Sequence, residues 1–274
     1  TILNDHEGIT MTMLVDQKMF PTVSTYIREG NPEIKYMLIC VGLALVYWLI
    51  FLRTKPIAHI RSDFAEKFGV PRQSGLVDAL EAAVVFEEPY RNPDALRGLE
   101  GFSHIWLIWA FHQSQRPEWS PTVRPPRLGG NQRVGVFASR SPFRPKPIGL
   151  SSVRLDHIAY TDALGPVLHV RGADLVDGTP ILDIKPYLPY GDCHPEATGG
   201  FASEPARPTL EVEIPPALLD QLPPDRREAL RDVLALDPRP RYQQDPDRVY
   251  GFLFAGQEVR FTVDGDRLQV VDIK

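Results

Sequence analysis

Short apolar segments recur from about residue 56 onward, and turn-forming residues separate them. Alternation of apolar and polar positions predicts strands at 56–61, 80–86, 101–112, 134–137, 149–160, 167–175, 180–187, 249–256, 257–263 and 267–273. Strands do not alternate with helices here, which disfavours a doubly wound parallel sheet. Many short strands joined by turns instead predict a mainly β fold built on an antiparallel β-barrel.

Two local patterns give more specific predictions about this barrel. Residues 101–112 are largely apolar on both alternating faces, so this strand is expected to be buried on both sides. Asp177-Gly178 stands between the segments 167–175 and 180–187, and this dipeptide is a strong signal for a hairpin turn.

The C-terminal part changes in character. Residues 188–209 are rich in proline and glycine and are predicted to form a loop. Residues 215–236 are predicted to be helical, because Leu230, Val233 and Leu234 share one stripe and Pro223-Pro224 suits a helix start. With the last three strands, residues 205–274 therefore form a small α+β subdomain, and the barrel is expected to occupy 53–204.

The N-terminal part has a different pattern. Residues 1–35 show no clear period and are expected to form an extension. Residues 36–52 carry no charge and predict a hydrophobic helix at the short limit for a membrane span. Three interpretations stay open: a membrane anchor, a buried helix, or a segment foreign to the working protein. For an anchor, Arg53 and Lys55 would place the C-terminal bulk on the cytoplasmic side.

Composition and charge narrow the candidate chemistry. The net charge of −5 argues mildly against a nucleic-acid partner. The two cysteines lie far apart in the sequence, which favours a reducing compartment over a structural disulfide. The histidines show no metal-ligand spacing, so no metal is expected.

Residues 135–155 form a local positive segment in this acidic chain. The segment contains Arg140, Arg144 and Lys146 and no acidic residue, and several prolines stiffen it. Ordered cations on a stiff loop suit an anionic ligand such as phosphate or carboxylate, although pairing with nearby carboxylates is equally consistent. Gly149 would permit the close approach of a ligand.

Four smaller clusters are ambiguous when each is considered alone. They are a glycine-flanked loop, the end of the long strand, the acidic turn and a late basic loop. The glycine-flanked loop contains Pro71, Arg72 and Gln73, and the long strand ends with His112 and Gln113. The acidic turn consists of Asp177, Gly178, Thr179 and Pro180, and the late basic loop contains Arg239, Arg241 and Tyr242.

Taken together and in order, these segments resemble the TsaA/TrmO family. GVFASRSPFRPKPIGLS resembles the family's signature, and PRQ, GLEGFSHIWLIWAFH, DLVDGTPILDIKPYLPY and DPRPRY resemble its other blocks. The resemblance covers about 56–274. It implies a homodimeric β-barrel methyltransferase that uses S-adenosylmethionine. The implied substrate is tRNA, methylated on the exocyclic amine of threonylcarbamoyl-adenosine beside the anticodon.

The resemblance also assigns roles to residues. Arg140 and Asp177 are the catalytic candidates, and no general base is identified. Arg144 and Lys146 are expected to face the threonyl carboxylate, and the late basic loop is expected to contact RNA through Arg239, Arg241 and Tyr242. The expected cofactor contacts are Pro71, Arg72, Gln73, His112, Gln113, Arg140, Leu150, Asp177, Gly178, Thr179 and Pro180.

One departure from the family pattern keeps alternatives open. The family usually has asparagine where this chain has Lys146, a change that bears on substrate selection. One alternative is a noncatalytic barrel that binds RNA or an adenosine ligand. Another is a membrane-tethered methyltransferase with a different substrate. The expected location is the cytoplasm, free or tethered to the inner face of the membrane.

Overall fold

A computed structural model describes residues 36–43, 55–114, 118–203, 209–239 and 245–274. The chain divides into two compact units, Thr1–Thr54 and Lys55–Lys274. In the first unit, residues 36–43 form a helix, and the rest of the predicted helix lies outside the described residues, as does the extension 1–35. Within the described parts of the chain, no helix has the length and apolar character that crossing a bilayer requires.

The second unit contains a closed barrel of six strands in the order β1-β2-β7-β6-β3-β8. Every neighbouring pair is antiparallel, which confirms the predicted fold class. The barrel strands are β1 (Ala58–Arg61), β2 (Glu81–Phe86), β3 (His104–Ala110), β6 (Ile148–Thr161), β7 (Gly165–Arg171) and β8 (Pro180–Pro186). A separate two-stranded ribbon consists of β4 (Thr122–Val123) and β5 (Val134–Gly135).

Strand β3 shows how alternation fills the barrel. Ile105 and Leu107 are completely buried inside it. On the other face His104 is exposed, and Trp106 and Ile108 are only partly buried. The prediction that this strand is buried on both sides was therefore wrong, because its outward face is not fully covered by another layer.

The turn at Asp177-Gly178 is not a hairpin, so that prediction was also wrong. Strands β7 and β8 do not pair with each other, since β7 lies between β2 and β6 while β8 lies between β3 and β1. The Asp177 amide instead donates to the Phe64 carbonyl (2.7 Å), and the Gly178 amide donates to the Ile60 carbonyl (2.9 Å). The turn therefore binds the end of β1 and the residues that follow it.

Several connections contain 3₁₀ turns. The strand predicted at 134–137 is a strand only at Val134–Gly135, and a 3₁₀ turn follows it. The 3₁₀ turns are Glu88–Tyr90, Pro93–Leu96, Leu99–Gly101, Pro126–Leu128, Val136–Ala138, Gly200–Ala202 and Pro224–Arg226. Within the predicted loop 188–209, Pro189–Asp192 is a single helical turn.

The C-terminal subdomain packs helices against a four-stranded sheet in the order β10-β11-β12-β9. The helix predicted at 215–236 is interrupted, because Pro223 and Pro224 end one turn and start another. The stripe of Leu230, Val233 and Leu234 is buried as predicted. The elements are the helices Pro216–Leu219 and Arg227–Ala235 and the strands β9 (Glu211–Glu213), β10 (Tyr250–Phe254), β11 (Gln257–Asp264) and β12 (Arg267–Ile273).

The chain just after β1 joins the barrel to this subdomain. Phe64 packs edge-on against Phe254, with ring centroids 5.5 Å apart. Gly69 has a positive φ of 94° and lies directly against the Phe252 ring. Both phenylalanines are buried in the subdomain core, so the loop that carries Pro71, Arg72 and Gln73 starts from a fixed point.

Candidate functional site

A cleft of about 270 Å³ lies where the barrel strands give way to loops. Trp109 and Phe111 line it, with ring centroids 4.4 Å apart in an edge-on arrangement. Predicted site residues from separate parts of the sequence also line this cleft, namely Pro71, His112, Gln113 and Thr179. The fold thus brings three of the sequence clusters to one place.

Trp109 reaches the cleft because of the residue opposite it in the sheet. Trp109 pairs with Gly149 in the β3–β6 register. A Cβ atom at Gly149 would lie only 2.3 Å from the indole ring. The close approach expected of a ligand at Gly149 is therefore made by Trp109, and the glycine shapes the cleft wall instead.

The cleft contains a carboxylate that the sequence reasoning missed. Asp174 lines it and accepts a hydrogen bond from Ser151 Oγ at 2.5 Å, and Ser151 Oγ in turn accepts from Trp109 Nε1 at 3.0 Å. Burial raises the pKa of Asp174, and hydrogen bonds from Ser151 and from backbone amides oppose this shift. The signal for Asp174 in the sequence was its position between two apolar residues, Ala173 and Leu175. Both of these neighbours are buried in the structure.

Arg140 connects the signature segment to the loop after β1. Its Nη1 donates to the side-chain oxygen of Gln73, while the arginine itself stays exposed. Arg72 is also exposed, and its Nη2 lies 3.5 Å from the Arg239 carbonyl oxygen. Two predicted cofactor contacts, Gln73 and Arg140, therefore touch each other near the cleft.

His112 lines the cleft together with the cation Lys67. Burial lowers the pKa of His112, and the positive potentials of His59 and Lys67 lower it further. Lys67 Nζ donates to the Gln113 carbonyl at 3.1 Å, which ties this loop to the end of β3. The imidazole of His112 is therefore held neutral near pH 7.

The acidic turn borders a second cleft, of about 370 Å³, between the barrel and the subdomain. Asp177 lines this cleft, and its Oδ1 accepts from the Ser62 amide at 3.0 Å. Thr179 Oγ1 donates to the Val176 carbonyl at 2.6 Å, which closes the turn. We favour the smaller cleft as the ligand site, because it combines the aromatic pair with Asp174 and four of the predicted cofactor contacts, whereas Asp177 alone of those contacts lines the larger cleft.

Other predicted site residues lie elsewhere. Leu150 is on the outer face of β6 and is 49% exposed. Arg144 is partly buried and donates to the Ser139 carbonyl at 3.4 Å, whereas Lys146 is exposed. Arg239 is only 6% exposed and pairs with Asp237.

The structure therefore gives Arg239 a packing role. Arg241 and Tyr242 lie outside the described residues. Among the residues that the structure does describe, no group of histidine, cysteine, aspartate and glutamate side chains could hold a metal ion.

These features define a class: a small antiparallel barrel with a mixed aromatic and acidic ligand cleft, followed by an α+β subdomain. Comparison with known proteins then identifies the family. Residues 59–193 match the model of the tRNA-methyltransferase O N-terminal domain, and residues 207–274 match that of the TrmO C-terminal domain. The chain therefore belongs to the TrmO family.

Individual relatives agree with this assignment. A tRNA (adenine(37)-N6)-methyltransferase of Escherichia coli strain K12 is 45% identical over 216 residues, which cover 76% of this chain and 91% of the relative. A putative S-adenosylmethionine-dependent methyltransferase, RcsF, of Pseudomonas aeruginosa is 40% identical over 80% of this chain and 96% of its own length. The crystal structure of TrmO from P. aeruginosa superposes with a TM-score of 0.65 at 35% identity, covering 80% of this chain and 97% of that one.

Proposed function

We propose that this protein is an S-adenosylmethionine-dependent methyltransferase that acts on tRNA. Its proposed target is the exocyclic amine of threonylcarbamoyl-adenosine next to the anticodon. The observation that carries the proposal is the cleft at the barrel mouth, in which an aromatic pair and a carboxylate stand together with Pro71, His112 and Thr179. The proposal includes the division into a barrel, 53–204, and a C-terminal subdomain, 205–274.

The side chains of the cleft fit this cofactor. When bound, S-adenosylmethionine supplies a methyl group activated by a positively charged sulfonium. The faces of Trp109 and Phe111 attract cations, and Asp174 places a negative charge beside them. Arg140 is a cation near the loop 68–75 and suits the carboxylate end of the cofactor, so we assign it to binding and not to catalysis.

The remaining predicted contacts belong to the same proposal. Gln73 accepts a hydrogen bond from the Arg140 guanidinium, and Gln113 lines the cleft. Arg72, Gly178 and Pro180 are proposed as contacts on the family resemblance alone. Asp177 already accepts a backbone hydrogen bond, which makes it a better anchor for the turn than a catalyst. Such a site works mainly by orienting two reactants, an effect that supplies about 7–11 kcal/mol in ideal cases.

Replacing Arg140 with alanine tests the cofactor site. The Arg140→Ala variant should lose methyl transfer and bind the cofactor more weakly while its unfolding curve stays unchanged, whereas Arg231→Ala, on an exposed helix face, should behave like the wild type. Calorimetry with the cofactor and nucleoside mass spectrometry of tRNA measure the two effects. Cofactor binding by the wild type without any methyl transfer would favour the noncatalytic module instead.

The tRNA partner is proposed to contact the cations of the signature segment. Lys146 is exposed, and Arg144 lies two residues before it on the same stiff loop. The Lys146→Asn substitution introduces the residue usual in the family and should reduce the salt dependence of tRNA binding by about one counterion. If the slope of the logarithm of tRNA affinity against the logarithm of salt concentration is unchanged in both Lys146→Asn and Arg144→Ala, this loop does not contact the RNA.

A homodimer is proposed from the outer face of the barrel. Ile148 is 41% exposed and Leu150 is 49% exposed on β6, and Tyr190, in the turn after β8, is 89% exposed. A second copy would cover such apolar surface and bring Leu150 into a shared site. Light scattering should give a dimer for the wild type and a monomer for Leu150→Asp, and a monomeric wild type would contradict this part.

The proposed location is the cytoplasm, where tRNA is modified. Fractionation of cells that express the full chain, compared with a chain starting near Arg53, tests the alternative of a tether through 36–52. Recovery of both chains in the soluble fraction would remove the tether from the proposal.

A further inference from the structure

Asp174 is the most constrained ionisable side chain in the cleft. It follows β7 in a stretch where Ala173 and Leu175 are buried, and Ser151 Oγ holds its Oδ1 at 2.5 Å. Trp109 Nε1 donates to the same Ser151 oxygen, so the carboxylate and the aromatic wall belong to one hydrogen-bonded chain. Desolvating a carboxylate to this extent lowers stability unless hydrogen bonds or a charged partner compensate for the lost water.

The proposed substrate needs a base. In threonylcarbamoyl-adenosine the N6 atom carries one hydrogen and lies between the purine ring and a carbonyl group. Both neighbours delocalise its lone pair, so the neutral nitrogen is a poor nucleophile. Attack on a methyl group therefore requires that the N–H proton be removed as the new bond forms.

The other ionisable groups near the cleft are less well placed to accept this proton. Arg140 and Lys67 are cations. His112 also lines the cleft but is exposed, whereas Asp174 is partly buried and held by Ser151. Asp177 borders the other cleft, and its carboxylate accepts the Ser62 amide.

We propose that Asp174 is the general base that takes the N6 proton, an inference that rests on the proposed function. The N6–H bond breaks and its proton goes to the Asp174 carboxylate. The N6 electron pair forms the bond to the methyl carbon, and the electrons of the methyl–sulfur bond stay on sulfur. The products are N6-methylated tRNA, neutral S-adenosylhomocysteine and a protonated Asp174, which returns its proton to water.

Ser151 is a positioning residue in this arrangement. Its hydroxyl donates to Asp174 and favours the charged form of the carboxylate, while burial raises the pKa of Asp174. Loss of the hydroxyl should therefore raise that pKa further without removing the base.

The first test is the near-isosteric Asp174→Asn substitution in the full chain. Single-turnover methyl transfer to tRNA that contains threonylcarbamoyl-adenosine should fall by about 10²–10⁴-fold. The tRNA affinity should stay within about twofold of the wild type, and the urea midpoint of unfolding should not change. The cofactor affinity by calorimetry should fall by less than about tenfold, because the Asp174 charge lies beside the aromatic pair. Asp162→Asn, in the exposed turn between β6 and β7, is the matched control and should keep full activity.

The pH dependence of the same rate separates a base from a packing residue. The wild-type rate should fall at acid pH as Asp174 becomes protonated, Ser151→Ala should move this fall to higher pH, and Asp174→Asn should abolish it. A carboxyl carbon resonance that is absent in Asp174→Asn, and that titrates at higher pH in cofactor-free Ser151→Ala than in the cofactor-free wild type, gives a readout independent of activity.

Three results would overturn the assignment. One is an Asp174→Asn variant with the wild-type rate. Another is a variant that loses cofactor affinity at least tenfold but recovers the full rate at saturating cofactor, which would make Asp174 a binding group. The third is an acid limb that persists in Asp174→Asn and disappears in His112→Gln. A wild-type protein without methyl transfer to this tRNA would instead refute the proposed function itself.

Discussion

Replacing Arg226 with methionine should weaken the contact between the barrel and the C-terminal subdomain. Arg226 precedes the helix Arg227–Ala235, and its Nη1 donates to Glu81 Oε2 at 2.7 Å. Its Nε forms an ion pair with Asp63 Oδ2 at 3.0 Å. Methionine keeps the apolar stem and removes these two contacts together with the ion pair to the exposed neighbour Asp225.

The magnitude follows from how far the three side chains are buried. Arg226, Asp63 and Glu81 are 22%, 16% and 38% exposed. Removing one partner of a fully buried pair costs about 3–5 kcal/mol, whereas exposed pairs contribute about 0–1 kcal/mol. We therefore expect the free energy of unfolding to fall by about 2 kcal/mol at neutral pH.

The loss should depend on pH with a defined sign. Burial raises the pKa of Asp63, and the Arg226 charge opposes that rise. Without Arg226 the folded-state pKa of Asp63 rises further above its unfolded value. Stability of the variant is then retained below the unfolded pKa and lost as pH rises through the folded one. The difference from the wild type should be larger at about pH 8 than at about pH 4.

Urea unfolding followed by tryptophan fluorescence measures both effects. Arg231→Met is the matched control, because Arg231 is exposed on the same helix. The double variant Asp63→Asn with Arg226→Met should recover part of the loss and show a weaker pH dependence. Equal stabilities of Arg226→Met and Arg231→Met, or a loss that is the same at all pH values, would refute the reasoning.

Three further substitutions have expected outcomes. Gly149→Ala should displace Trp109, lower the free energy of unfolding by about 1–3 kcal/mol and weaken cofactor binding. Unchanged binding in calorimetry would contradict the role of Trp109 as a wall of the cofactor cleft. Gly69→Ala should cost about 3 kcal/mol in urea unfolding, because it adds strain at positive φ and collides with Phe252; a loss below about 1 kcal/mol would contradict this. Burial lowers the pKa of His169, so the free energy of unfolding should fall as pH drops through the imidazole range. His169→Gln should make this pH dependence weaker, and an unchanged pH dependence would contradict the role of the ring.

The barrel was predictable because its signal is local. Segments such as 149–160 and 180–187 alternate clearly, and they are strands within one or two residues at each end. The hairpin prediction at Asp177-Gly178 failed for a nonlocal reason. A turn dipeptide fixes the local backbone, but strand pairing is fixed by the closure of the sheet, which places β1 beside β8.

The site was predictable only in part. The clusters around Pro71 and His112 meet at the cleft, but no periodicity in the sequence could have grouped them, and the family resemblance did so. Asp174 and Trp109 lie within two of the blocks that resemble the family, but the resemblance assigned no role to either residue. Their connection through Ser151 depends on β6 lying between β3 and β7, which is a property of the closed barrel.

The distribution of charge explains how an acidic chain can bind an anionic RNA and a cationic cofactor at the same site. Net charge alone argued against nucleic acid, yet Arg140 and Lys146 are exposed on a segment that contains no acid. The negative charge near the site, on Asp174, is instead partly buried behind Trp109 and is held by Ser151. Because Arg140 and Lys146 are exposed whereas Asp174 is partly buried, an approaching phosphate comes closer to the cations than to the carboxylate, and the RNA should meet a positive surface. A ligand inside the cleft should meet the carboxylate, so the two opposite charges are recognised at different depths of one site.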